Sequence, residues 1–154
     1  MNVLKLLVVA GMLSSMTTWA QAQEDPFADA VETRHGLMLQ MGADLAKMGA
    51  MVKGDVAFDA ALSAKAAANL AAIASVLSME QFPAGSENGK AADSYAKAEL
   101  WANEQDFLAK IADLNAAAAA LQPLAAADVD SLKTGMGGVG KACAACHTAY
   151  RMAE

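Results

Sequence analysis

Apolar residues recur at alternating steps of three and four along most of this 154-residue chain. That spacing is the period of an α-helix with one buried face. Four segments carry it: Pro26 to Lys53, Phe58 to Met79, Asn103 to Leu121, and Asp128 almost to the C-terminus. No stretch alternates in the way that a half-buried strand requires. The sequence therefore predicts an all-α fold, an antiparallel up-down four-helix bundle.

Signals at the helix ends support this division. Gly54 can end the first helix because glycine readily adopts the left-handed conformation, and Asp128 has the side chain of an N-cap. Residues 80–101 contain many turn formers, so we expect an irregular segment there, with one helical turn around Ala98 to Trp101. The expected core positions of the four helices are, in order, Met38, Met41, Leu45, Met48 and Val52; Phe58, Leu62, Leu70, Ile73 and Leu77; Phe107, Ile111, Leu114, Ala118 and Leu121; and Val129, Leu132, Met136, Val139, Cys143, Cys146 and Tyr150.

The first 22 residues have the layout of a secretory signal peptide. Lys5 provides a positive charge, an apolar run follows, and Ala20-Gln21-Ala22 has the small-x-small form of a cleavage site. We expect cleavage after Ala22, which leaves residues 23–154 as one periplasmic domain. The alternative is an uncleaved anchor, but the apolar run is shorter than the roughly 20 residues of a membrane span. No later segment qualifies as a span, so a soluble protein is predicted.

The formal net charge of the chain is −6. Nucleic-acid partners usually require a basic surface, so this charge argues against them. The acidity favours solubility and suits a basic redox partner, whose identity the sequence does not reveal.

The strongest motif is Cys143-Ala144-Ala145-Cys146-His147 near the C-terminus. Cys-x-x-Cys-His is the attachment signature of c-type haem. The two thiols form thioether bonds with the haem vinyl groups, and the histidine offers an imidazole nitrogen to the iron. On a helix, Cys143, Cys146 and His147 project from one side. We therefore predict one covalent haem c per chain, held in the bundle beside the last helix.

Two other uses of the cysteines fit the sequence less well. A thioredoxin-like redox pair needs a βαβ context, which this sequence lacks. A zinc site requires four ligands, and apart from carboxylates only Cys143, Cys146, His147 and the distant His35 are available.

These motifs resemble those of the class II cytochromes c, which include cytochrome c′. Residues 143–151 resemble the family's C-terminal haem motif with its following Tyr-Arg, and Arg34-His35-Gly36-Leu37-Met38 resembles the start of its first helix. Val52-Lys53-Gly54 is similar to the end of that helix, and residues 97–101 to the segment before the third. The resemblance covers nearly the whole mature chain and implies the same four-helix bundle. Ala98 stands where the family usually has proline, so the resemblance does not define the path of the chain around residue 98.

The resemblance implies that the residue four positions after Arg34 faces the iron, and here that residue is Met38. In the low-spin branch of the family a methionine ligates the iron. A thioether favours Fe(II) and raises the potential, which suits an electron carrier. In cytochrome c′ proper the iron is five-coordinate, and NO or CO binds at the open face. We expect ligation by His147 and Met38 and a role in electron transfer, with gas binding as the alternative.

Other residues receive site roles as well. Arg34 has the fork of donors that suits a haem propionate; the alternative is a surface charge. By resemblance Arg151 lies near the proximal face, and the alternative is a frayed C-terminus. Trp101 and Phe107 are candidates for packing on the haem, although core burial explains them equally well. His35 is a competing ligand that we expect to face solvent.

We expect no enzymatic activity, because the sequence offers no acid–base constellation for the distal side. A peroxidase would require His35 to enter the pocket. The resemblance also suggests a homodimer that pairs through the first two helices.

Overall fold

A computed structural model describes residues 25–153. It contains four long helices and one short one: α1 (Ala28–Lys53), α2 (Ala60–Val76), α3 (Glu99–Ala102), α4 (Glu104–Ala125) and α5 (Val129–Tyr150). The long helices close a ring in which α1 packs on α2, α2 on α4, α4 on α5 and α5 on α1. The predicted all-α four-helix bundle is confirmed. The expected signal peptide lies outside the described residues.

The helix ends follow the sequence signals closely. Gly54 adopts a φ of 79° directly after α1, and the side chain of Asp128 accepts a hydrogen bond of 2.8 Å from the backbone N–H of Ser131. The irregular segment contains a 3₁₀ turn at Met79–Gln81 before the short helix α3. Helix α2 is shorter than predicted at both ends, because Asp59 caps its start and Leu77 is already extended.

Helix α4 runs past its predicted end and includes Pro123 in its last turn. Proline normally ends a helix because it lacks an N–H and its ring clashes with the preceding turn. Here Leu124 packs close to Gly135 of α5, and Ala125 is fully buried. These contacts hold the last turn of α4 in place.

The core agrees with the predicted stripe of α4 at every position. The prediction was wrong for Leu62 of α2, which is 41% exposed. It also missed two charged residues on the buried face of α1, Arg34 and Asp44, which are 4% and 0% exposed. The Asp44 carboxylate accepts hydrogen bonds from Gln40, Lys47 and, across to α2, Asn69. Although burial opposes its ionisation, these three donors keep the pKa of Asp44 below its usual value.

None of the helices in the described part of the chain has the length and apolar character needed to cross a membrane.

Candidate functional site

One cavity of about 750 Å³ opens between α1, α4, α5 and the segment that joins α2 to α3. Its size falls within the range of about 300–1,000 Å³ that is typical of cofactor and ligand pockets. Most of its wall is apolar. Its charged, aromatic and sulfur-containing side chains are Arg34, His35, Met38, Met41, Phe82, Tyr95, Phe107, Lys110, Cys143, Cys146, His147, Tyr150 and Arg151.

The motif residues of α5 reach this cavity together. Cys143 and Cys146 are half-buried free thiols, and His147 is the exposed residue beside them. Burial raises the pKa of both thiols. Burial and the nearby charge of Arg151 lower the pKa of His147, so its imidazole is neutral at pH 7 and keeps a lone pair.

The geometry gives no support to the zinc alternative. Within residues 25–153, no three His, Cys, Asp or Glu side chains converge on a point where they could hold a metal ion. Cysteine binds zinc as a thiolate, and the raised pKa values of Cys143 and Cys146 favour the thiol form instead.

Helix α1 contributes two thioethers to the same cavity. Met38 is half-buried and lines the wall formed by α1. Met41, which is 5% exposed, lines it too. Sequence reasoning assigned Met41 only to the core, although its position three residues after Met38 could have indicated the cavity.

Arg34 is buried beside the cavity, so the alternative that it is a surface charge is wrong. Its Nη1 donates to the carbonyl of Gln81 at 3.1 Å and the hydroxyl of Ser86 at 2.9 Å. Its Nη2 donates to the carbonyl of Ser86 at 2.9 Å and the hydroxyl of Ser94 at 2.6 Å. The guanidinium also lies 5.1 Å from the ring centroid of Phe82. Arg34 therefore fastens residues 81–94 to α1, while its contact with a propionate stays a prediction.

The end of α5 is fastened to the same segment, so it is not frayed. The backbone N–H of Lys97 donates to the carbonyl of Tyr150, and that of Met152 donates to the carbonyl of Tyr95, each at 2.8 Å. Arg151 is exposed, and its guanidinium lies 5.8 Å from the ring centroid of Tyr95.

Tyr95 also meets His35, with ring centroids 6.3 Å apart. We expected His35 to face solvent, but it is half-buried and lines the cavity.

A chain of aromatic rings forms another part of the wall. Phe107 makes edge contacts with Phe82 at 4.9 Å and with Tyr150 at 5.5 Å between ring centroids. The Tyr150 hydroxyl donates a hydrogen bond of 2.6 Å to Asp106. This bond raises the pKa of Tyr150 to about 12. Asp106 also pairs with Lys110, one turn further along α4.

Trp101 is the one predicted site residue that does not line the cavity. Its indole N–H donates to the carbonyl of Phe82 at 2.9 Å. Trp101 therefore stands behind a residue of the wall, and its packing on a haem stays a prediction.

The sequence pattern also gave no indication that Ser86 and Ser94 are hydrogen-bond partners of Arg34. Ser86 and Ser94 are buried, but they belong to an irregular segment with no periodic pattern. The stripe position of Arg34, three residues after Val31 and seven before Met41, could have indicated that the arginine itself is buried.

Comparison with known proteins gives a consistent result. The sequence profile of the cytochrome c′ family matches residues 29–151. Cytochrome c-554 of Cereibacter sphaeroides is 44% identical over 124 residues, which are 80% of this chain and 81% of that protein. A solved cytochrome c′ from Rhodobacter Spheriodes superposes with a TM-score of 0.79 at 28% identity, over 83% of this chain and 98% of that one. A ferrous variant of cytochrome c prime from Alcaligenes xylosoxidans with bound NO superposes with a TM-score of 0.72 at 29% identity, over 83% and 97%.

Proposed function

The chain belongs to the cytochrome c′ family, and from that premise we propose that it is a periplasmic electron carrier whose haem iron is ligated by His147 and Met38. Proteins of this family bind haem c covalently, and the chain has two cysteines to attach it. We propose Cys143 and Cys146 as the attachment points. The observation that carries the proposal is a single cavity lined by the Cys-x-x-Cys-His motif from α5 and by Met38 from α1.

The residues of the cavity fit a haem. The wall is mostly apolar, as a buried macrocycle requires, and its three charged side chains, Arg34, Lys110 and Arg151, are cations that suit the propionate carboxylates. When bound, the haem supplies a one-electron Fe(III)/Fe(II) couple. The chain orients this group through α5 and limits its contact with water through the apolar wall, which affects the potential.

The ligand set is tested by absorption spectra of the ferric and ferrous protein. We expect a low-spin spectrum with the weak long-wavelength band of thioether ligation. Met38→Ala should convert it to high spin, whereas Met41→Ala, a matched change on the same wall, should leave it low-spin. A high-spin wild-type spectrum with immediate CO binding would overturn ligation by Met38.

The second candidate is a five-coordinate protein that binds NO or CO at an open face. The structural similarity to an NO-bound cytochrome c prime supports it, as does the presence of Met38 on the cavity wall as a side chain that could merely crowd that face. In that case the wild-type protein would bind CO at once, and Met38→Ala would change the spin state little.

Members of this family are periplasmic, and we propose that residues 1–22 direct export. The mass of protein purified from the periplasm should match a haem-bearing chain that begins at Gln23. A mass that retains the leader would favour the uncleaved anchor instead.

We also propose a homodimer that pairs through α1 and α2. Leu62 of α2, at 41% exposure, is an apolar side chain that such an interface would cover. Light scattering on the eluting protein measures the mass, and a monomer at micromolar concentration would contradict the dimer. We propose that the protein is a carrier without an enzymatic activity, so peroxide and a reducing dye should give no turnover.

A further inference from the structure

Helix α1 has a gap in its side chains beside Met38. Gly42 lies four residues after Met38, on the same side of the helix, and it lines the cavity while being exposed to solvent. A Cβ atom placed on Gly42 would find no described atom within 4 Å beyond its own helix backbone. The wall of the cavity is therefore open at this position.

The direction of helical side chains explains what the gap exposes. Side chains on a helix lean towards its N-terminus, so a residue covers the turn that precedes it. A side chain at position 42 would extend over the turn that holds Met38 and Leu39. Leu39 is itself 74% exposed. Because position 42 has no side chain, this turn of α1 is left uncovered beside the part of the cavity that Met38 lines.

The surroundings of the gap define what could use it. Between positions 38 and 45, the other residues of α1 that line the cavity are all uncharged and apolar: Met38, Leu39, Met41, Ala43 and Leu45. The one carboxylate of the stretch, Asp44, is occupied by Gln40, Lys47 and Asn69 away from the cavity. A cation would lose its hydration there without compensation, because the charged side chains of the cavity, Arg34, Lys110 and Arg151, are themselves cations. A small uncharged molecule would not bear that cost.

We propose that Gly42 keeps open an entry notch in α1 through which small uncharged ligands such as CO reach the side of the haem that Met38 faces. The inference rests on the proposed haem site, but it holds for either coordination state. Gly42 thus sets the rate of ligand access.

The same helix provides a matched control. Gly36 is also exposed, and a Cβ on it would also meet nothing within 4 Å, but it does not line the cavity. Replacing either glycine by leucine removes a poor helix former from α1. Both variants should therefore raise the melting temperature of the holoprotein, and any difference in ligand binding reports the notch alone.

The experiment measures CO association to the ferrous holoprotein after flash photolysis or rapid mixing. Gly42→Leu should slow association by about tenfold or more, since a barrier of about 1.4 kcal/mol corresponds to that factor. Gly42→Ala should have an intermediate effect, and Gly36→Leu should match wild type. Because ligation by Met38 would itself slow CO, the comparison is repeated with Met38→Ala as the parent.

Three results would overturn the proposal. The first is equal association rates for Gly42→Leu and Gly36→Leu in the Met38→Ala parent. The second is a lower ratio of haem to protein, or an altered ferric spectrum, in Gly42→Leu, which would mean that the gap seats the haem itself. The third is an absence of CO binding in every variant. The resting spectrum of the wild type tests ligation by Met38 separately, so failure of that assignment is distinguishable from failure of the notch.

Discussion

Helices α4 and α5 approach each other closely at one end of the bundle, whereas a cavity lies between α1, α4 and α5 at the other. Where α4 ends and α5 begins, the approach is so close that a Cβ on Gly135 would lie 2.6 Å from the Cδ1 and 3.3 Å from the Cα of Leu121. At the opposite end, the cavity is surrounded by aromatic rings of α4 and α5 and by the irregular segment between α2 and α3. Gly135 allows the close approach, whereas at the other end the rings of Phe82, Phe107 and Tyr150 contact one another and form part of the cavity wall.

The difference teaches how a small bundle can keep a large cofactor site. An unfilled apolar cavity is costly because its lining loses contacts. We therefore expect the tightly packed end to keep its structure without the cofactor and the cavity end to gain stability when the cofactor fills it. Hydrogen bonds from Arg34 and Tyr150 supply a second, polar set of restraints at the cavity end.

The largest expected effect comes from removing both thiols at the cavity end. Cys143→Ser/Cys146→Ser should abolish covalent haem and lower the melting temperature, because the cofactor that fills the cavity is no longer attached. A haem stain after denaturing electrophoresis measures the attachment. Each single variant should keep some covalent colour through its remaining cysteine. Colour that persists in the double variant would contradict the assignment.

Arg34→Met tests whether polar restraints hold the cavity end. The change leaves the carbonyl of Gln81 and the hydroxyl of Ser86 without a donor. It also removes one of two donors from the carbonyl of Ser86 and from the hydroxyl of Ser94. We expect a loss of about 3 kcal/mol in the free energy of unfolding. Urea titration of the holoprotein measures it. Lys133→Met on the exposed face of α5 is the control and should stay within about 0.5 kcal/mol of wild type. A similar effect of both changes would contradict the prediction that the hydrogen bonds of Arg34 stabilise the cavity end.

Gly135→Ala tests the close approach at the packed end. The added methyl group would collide with Leu121, and overpacking of this kind costs about 1–3 kcal/mol. The haem spectrum should not change, because the collision is remote from the cavity. If Gly135→Ala proved as stable as wild type, the close approach would not be a feature of the packed end.

Gly138→Ala is the matched control for that change and carries a prediction of its own. Gly138 lies in the same helix, but a Cβ there would meet nothing within 4 Å. We expect a gain of about 0.5–1 kcal/mol, since glycine is unfavourable inside a helix. Opposite signs for the two glycines, measured in the same urea titration, would confirm that neighbouring atoms and not helix propensity decide the effect at Gly135.

The smallest effect appears only in alkali. The bond to Asp106 raises the pKa of Tyr150 to about 12, above the value of about 10 expected for an unfolded tyrosine. This contribution to stability is complete below pH 10 and is lost as the pH rises through about 12. Tyr150→Phe should therefore show a weaker fall in melting temperature over that interval, and Asp106→Asn should act in the same direction. Parallel curves for wild type and both variants would refute the coupling.

Periodicity predicted much of this molecule from local information. The four helices, the stop at Gly54 and the cap at Asp128 depend on residues within a few positions of one another. Every predicted core position of α4 is buried, because the positions that share one face of a helix are set by local spacing. The predictions that failed depend on contacts between residues far apart in sequence. Contacts with α5 accompany the extension of α4 past Pro123. The burial of Arg34 depends on hydrogen-bond partners that lie 47 to 60 residues away along the chain.

By itself, the sequence determined that the chain forms a helical bundle with a haem attachment motif on its last helix, since both follow from spacing along one helix. Only the tertiary structure decided what surrounds that motif. The meeting of Met38, Met41 and the gap at Gly42 with Cys143 and His147 depends on how α1 packs against α5, and the spacing within either helix carries no information about that contact.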